Sequence, residues 1–180
     1  MKITPKTKLK KFLLIAEVVN IEIWNSKIAN IKLPQNKYVP KNLNDLTWAQ
    51  LSTILNCKTN IELMFVASEV ILKIKRKRLL RSPALQVIAF MIFVEKELEK
   101  IGKLFAQIAF KPSPEEVQAG ISNLNFGLFG TLDWYAKRMR ITDHETAEQT
   151  PWIRIYECMK NDNLTAEFQR KLTKIISTKK

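Results

Sequence analysis

The chain has 180 residues, 46% of them hydrophobic, with only 4 Gly; it can bury a core as one domain, or as a large domain with a small appendix, and so few glycines disfavour a fold rich in tight turns or phosphate-cradling loops. Its 30 basic and 17 acidic residues leave a net charge of +13, which suits a polyanion, an anionic membrane or an acidic protein partner without choosing among them. Two cysteines, Cys57 and Cys158, and the single His144 exclude a zinc site made from Cys and His of this chain alone, and no structural disulfide is expected.

The charge is uneven: residues 1–81 hold 16 basic and 5 acidic residues, residues 82–180 hold 14 and 12. Residues 1–11 form a basic arm with Lys2, Lys6, Lys8, Lys10 and Lys11. The run from Phe12 to Val19 looks like the start of a signal peptide, but Glu17 breaks it, Glu22 follows, and no small-residue cleavage site appears. No segment is long enough for a membrane span, so the chain reads as soluble and not secreted. From Phe12 to Trp24 the apolar spacing fits a helix, whereas the β-branched Val18, Val19, Ile21 and Ile23 fit a strand that would pair with Lys27–Leu33. Residues 35–44 read as a linker, with Pro34 and Pro40 as breakers.

Thr47 and Gln50 form a capping box that opens a short helix to about Asn56. Asn60 is the expected cap of the next helix, with Ile61, Met64, Phe65, Ala67, Ser68 and Ile71 facing inward. That helix runs into Lys73, Lys75, Arg76, Lys77, Arg78 and Arg81, more cations than a helix C-terminus needs to complement its dipole. A long central helix is predicted from Ser82, as cap, to Phe110, apolar nearly all round from Ala84 to Val94 and striped thereafter. Ser113, Pro114, Glu115 and Glu116 make a second capping box, with Val117, Ile121 and Leu124 inward. A turn at residues 125–130 follows, then helices expected to start at Thr131, at a third box of Thr142 with Glu145, at Thr150–Pro151, and at Asn163 or Thr165 with Phe168, Leu172, Ile175 and Ile176 inward. No internal repeat is visible in the residues. The expectation is an all-α, irregular bundle around one long helix, with room for a short β-hairpin near the N-terminus. Residues 1–40 form the arm and a variable segment, 41–110 a helical core, and 111–180 a domain of short helices.

Catalytic patterns are missing: there is no GxSxG and no Walker-type loop, His144 sits in a helix first turn between Asp143 and Glu145, and the acids near helix N-termini are explained by capping. A non-enzyme without cofactor or metal is expected. Residues 132–152 can be drawn as helix-turn-helix, but Asp143, Glu145 and Glu148 would repel a DNA backbone. Lys73 to Arg81 can contact phosphates non-specifically, or be a solvated helix end. Phe126, Leu128 and Phe129, flanked by Gly127 and Gly130, are candidate partner contacts, or plugs between helices; Trp134 and Trp152 are candidate core or interface anchors.

The pattern Pro114, Glu115, Glu116, Ala119, Gly120, Ile121, then Phe126, Gly127, Gly130, Thr131, Leu132 and Asp133, then Ala136, Thr142, Glu145, Pro151, Trp152, Phe168, Gln169 and Leu172 is similar to the C-terminal region of tail-assembly or virion-assembly proteins of phages infecting Bacteroidetes. The lead from Tyr38 into the Leu46-Thr47-Trp48 box also resembles them. The resemblance covers a little over a third of the chain. It implies a protein that binds other phage structural or assembly proteins, or a second copy of itself, in the host cytoplasm. The role would be a tail-assembly chaperone, which holds the tape-measure chain and recruits tube subunits, or a minor virion component of the tail or connector. Such chaperones are commonly neutral or acidic, so the basic character of this chain points toward a part near the packaged genome.

Overall fold

A computed structural model describes residues 6–16, 39–109, 112, 114–121, 124 and 126–178. The fold is all-α. Among the described residues the helices are α1 (Leu9–Ala16), α2 (Trp48–Leu55), α3 (Asn60–Leu72), α4 (Arg76–Leu79), α5 (Ala84–Gln107), α6 (Pro114–Gln118), α7 (Gly127–Met139), α8 (His144–Glu148) and α9 (Trp152–Thr178). The choice between helix and strand for residues 12–33 is settled only through Ala16, in favour of helix; residues 17–38 lie outside the described ones. The chain divides into two compact units, Met1–Leu43 with Thr53–Glu99 and Asn44–Ser52 with Lys100–Lys180, so residues 41–110 are shared between them.

In the first unit, Leu9, Met64, Leu79 and Val87 form a buried cluster, joined by Phe12, Leu13, Phe65, Ile74 and Leu80. A second cluster of Ala67, Phe90 and Val94 gathers Leu63, Ile71, Phe93 and Leu98. Each large apolar side chain buried this way contributes roughly 1.5–3 kcal/mol. The start of α5 differs from expectation: the Ser82 hydroxyl donates back to the Arg78 carbonyl instead of capping. The Ala84 N–H donates to the Thr7 carbonyl at 2.8 Å, and the Leu9 N–H to the Ser82 carbonyl at 2.9 Å, around an antiparallel bridge between Lys8 and Pro83. The basic arm is thus the cap of the long helix, satisfying a donor that has no partner within its own helix.

In the second unit, Trp48, Phe105, Trp152 and Tyr156 make an aromatic core, with Phe105 set edge-on to Tyr156 at 5.5 Å and to Trp48 at 6.1 Å. The Thr47 box forms as its spacing requires, the Thr47 N–H donating to Gln50 Oε1 and the Gln50 N–H to Thr47 Oγ1. The Trp48 N–H donates to the Thr150 carbonyl at 2.8 Å and the Trp152 N–H to the Leu46 carbonyl at 3.0 Å, around a bridge between Thr47 and Pro151.

The two units share one plan, and the sequence offers no hint of it. Each has a 13-residue helix, α3 or α7, ended by a cation in the left-handed conformation, Lys73 at φ 56° or Arg140 at φ 55°. Each continues through a helix of about one turn, α4 or α8, into Ser82-Pro83 or Thr150-Pro151 and a long helix. In each, that Pro pairs with the residue just before an eight-residue helix, α1 or α2. The buried sets keep the same spacing one position further along the helix: Met64, Ala67 and Ser68 are followed 68 positions later by Leu132, Tyr135 and Ala136. The chain therefore carries an internal structural repeat, held by spacing and backbone pairing and not by residue identity.

Other boundaries shift for local reasons. Thr59, not Asn60, caps α3, its hydroxyl accepting from the Glu62 N–H. Asp143, not Thr142, caps α8, accepting from the N–H groups of Glu145 and Thr146. Helix α6 begins at Pro114 as expected, but Val117 and Leu124 are exposed. Within the turn expected at 125–130, residues 127–130 are the first turn of α7 and Phe126 is its N-cap, while residue 125 lies outside the described ones. No break occurs near Asn163: α9 is continuous, and Phe168, Leu172, Ile175 and Ile176 face solvent instead of a core. Among the described residues no helix is long and apolar enough to cross a membrane.

Candidate functional site

Three surfaces carry the chemistry. The first lies on α7 and α8. Phe126 is 69% exposed and Phe129 62%, while Leu128 and Trp134 are half-buried. The flanking glycines have separate reasons to be there. Gly127 has φ +54°, a backbone that side chains rarely adopt, and a Cβ on Gly130 would lie 2.5 Å from Phe126 Cβ, so Gly130 lets Phe126 lie over the helix start. The Phe129 ring lies 5.3 Å from His144, whose Nε2 is 3.3 Å from Asp133 Oδ1, and Lys137 Nζ donates to Asp133 Oδ2 at 2.6 Å. The Lys137 hydrogen bond, with His144 adding to it, holds the Asp133 carboxyl below its ordinary value. Asp143 is also lowered, first by the Thr146 hydroxyl and then by the backbone N–H groups it caps. His144 is therefore a pairing group between two helices. Trp152, a candidate interface anchor by its spacing, is 1% exposed and belongs to the core.

The second surface is the C-terminal half of α9. Its first half is buried through Trp152, Ile155 and Tyr156, and Arg138 of α7 clamps Asp162 with two hydrogen bonds of 2.8 and 3.0 Å. Beyond that clamp Leu164, Phe168, Leu172, Ile175 and Ile176 are all exposed, recurring every three or four residues along one side of the helix. Lys171 pairs with Glu167 at 2.7 Å beside the stripe. This apolar face was legible as an amphipathic pattern; the sequence simply does not say that nothing in this chain covers it among the described residues.

The third surface is cationic. Lys73, Lys75, Lys77, Arg78 and Arg81 line one groove of about 510 Å³ in the first unit, all of them exposed. Arg76 is turned aside, its guanidinium 4.4 Å above the Phe65 ring. Leu79 is buried beneath, so the cations project from a fixed base.

Among the described residues no group of three or more Cys, His, Asp or Glu side chains is arranged to hold a metal ion. Cys57 and Cys158 are thiols, and burial, followed by the Glu62 charge, pushes the Cys57 thiol up, away from the thiolate that reactivity needs. No family model, curated protein or solved structure matches this chain.

Proposed function

We propose that this chain is a non-enzymatic assembly protein of the phage-tail or virion kind that its C-terminal region resembles, acting by binding other proteins. The observation that carries this reading is the uncovered stripe of Leu164, Phe168, Leu172, Ile175 and Ile176 on α9, reinforced in the same unit by exposed Leu124, Phe126 and Phe129. A protein that holds an apolar tape-measure chain needs such a face, and small proteins seldom leave large apolar patches exposed without a partner. An amphipathic helix offers its anchors at the spacing seen here, ready for a groove or another helix. The reading is tested by co-expression with the tape-measure and tube proteins of the same phage. Wild type should co-purify with one of them, and Phe168→Asp with Ile175→Asp should lose at least tenfold in affinity while remaining folded. Equal binding by the double variant, or no binding by wild type, would sink it.

A second reading is favoured by one separate observation, the five-cation groove of the first unit: non-specific contact with nucleic-acid phosphates through Lys73, Lys75, Lys77, Arg78 and Arg81, as expected of a part near the packaged genome.

A further inference from the structure

The sequence shows two basic stretches more than sixty residues apart, and the backbone brings them together. Besides the bonds at Thr7 and Ser82, the Lys10 N–H donates to the Leu80 carbonyl at 3.1 Å, so residues 7–10 run alongside residues 80–84. The Leu9 side chain is buried against Leu79. Lys6, Lys8, Lys10 and Lys11 are all exposed, as are Lys73, Lys75, Arg76, Lys77, Arg78 and Arg81. Neither residues 6–16 nor residues 73–84 contain an acid, and none of these ten cations enters an ion pair among the described residues.

The internal repeat supplies a control for whether the fold requires this charge. At the matching positions of the second unit, Lys75, Arg76, Lys77, Arg78 and Arg81 correspond to Asp143, His144, Glu145, Thr146 and Gln149. Lys6, Lys8, Lys10 and Lys11 correspond to Asp45, Thr47, Ala49 and Gln50. The left-handed caps both carry a cation, Lys73 and Arg140, 67 positions apart where the matched positions that follow are 68 apart. The same backbone plan is thus built with neutral and acidic residues; Arg76 apart, whose guanidinium packs over the Phe65 ring, eight of the ten cations are not required by that plan.

The geometry points to a single polyanion-binding surface, in which the N-terminal arm and the Lys73–Arg81 groove together grip the phosphate backbone of nucleic acid without reading its bases. This rests on the second reading above and extends it to the arm. A phosphodiester chain suits a groove lined by point charges and two guanidinium forks, Arg78 and Arg81. A lipid surface fits less well, because among the described residues of 6–16 and 73–84 Leu14 is the single large apolar side chain exposed for insertion. The Phe65 ring is already covered by Arg76, and no aromatic side chain lines the groove.

The test uses the full chain and a fluorescent duplex of mixed sequence, about 30 base pairs long, titrated between about 50 and 300 mM salt. A groove variant carries Lys75→Ala, Lys77→Ala, Arg78→Ala and Arg81→Ala; an arm variant carries Lys6→Ala, Lys8→Ala, Lys10→Ala and Lys11→Ala. Each should weaken binding at least tenfold and lower the slope of log affinity against log salt by up to about 3.6, a step of roughly 0.9 for each phosphate no longer neutralised. Arginine at the four arm positions should restore binding, which separates lost charge from lost fold, and Arg170→Ala, Lys171→Ala with Lys174→Ala should change neither quantity. If the groove variant weakens binding and the arm variant does not, the joint surface is overturned while the groove reading stands. If neither weakens it, both fail. Binding to phosphatidylglycerol vesicles as tight as to the duplex, with the same loss in both variants, would overturn the assignment to nucleic acid.

Discussion

The two units put different surfaces on one backbone plan. In each, the start of a long helix is tied to the start of an eight-residue helix by reciprocal backbone hydrogen bonds, and a 13-residue helix ends in a left-handed cation. Yet the first unit holds 17 basic and 7 acidic residues, a net +10, and the second 13 and 10, a net +3. The first exposes cations around its helix start, and the second exposes apolar side chains on α7 and α9. Architecture here is set by where apolar residues fall and by which N–H groups need partners. The polar positions between them are left open to different tasks.

The comparison breaks most easily at the two side chains that follow the paired backbone. Leu9 is 1% exposed and Trp48 3%, and each pins its short helix at the equivalent place. Trp48→Ala should cost about 3–5 kcal/mol and Leu9→Ala about 2–5 kcal/mol in urea unfolding. If Leu9→Ala cost less than about 0.5 kcal/mol, the arm would not be part of the fold in the way Trp48 is, and the equivalence would lapse. A smaller effect of opposite sign is expected at Ser68, which stands where the second unit has Ala136. Its buried hydroxyl oxygen has no hydrogen-bond partner, so Ser68→Ala should raise stability by up to about 1 kcal/mol.

The smallest expected difference is in acid. The second unit caps α8 with Asp143, whereas Lys75 caps α4 without a side-chain bond. Asp143 and Asp133 both lie below the ordinary carboxyl value in the folded chain. Their stabilisation is therefore complete above about pH 4 and is lost as pH falls through the depressed values. Lowering the pH toward 2 should loosen the second unit first. That change is readable in tryptophan fluorescence, since Trp48, Trp134 and Trp152 belong to it, and Asp143→Ala should flatten the response.

The parts that could be read from residues alone are those decided within one or two turns. The Thr47 box and the all-helical character follow from capping and periodicity, and the helix at Pro114 begins where proline favours a first turn, its expected cap Ser113 lying outside the described residues. Thr59 and Asp143 each take the cap one residue away from the expected position because adjacent polar side chains compete for the same N–H groups. The continuity of α9 could not be read. Asn161, Asp162 and Asn163 look like a break, since their side chains compete with helix bonds. Here Asp162 is taken up by Arg138, and the Asn163 amide donates to the Ile108 carbonyl, partners that only the fold supplies. The repeat stayed hidden for a related reason: backbone pairing leaves little mark on residue identity beyond Ser-Pro and Thr-Pro. Of the candidate contacts, Phe126 and Phe129 and the cations of the groove are at the surface and Trp152 is interior; the α9 stripe, expected to face inward, is exposed, because periodicity marks a stripe without saying what meets it.

The lacing of residues 7–10 onto residues 80–84 fixes an order of events at the ribosome. The arm emerges before its docking strip, which lies roughly seventy residues downstream, a long closure that carries an entropic cost before any packing rewards it. Until Ala84 has been synthesised, Leu9, Phe12 and Leu13 have no core to enter and stand beside bare lysines. A nascent chain halted before that point would display an apolar and positively charged segment, the sort that molecular chaperones and ribosomal RNA both attract.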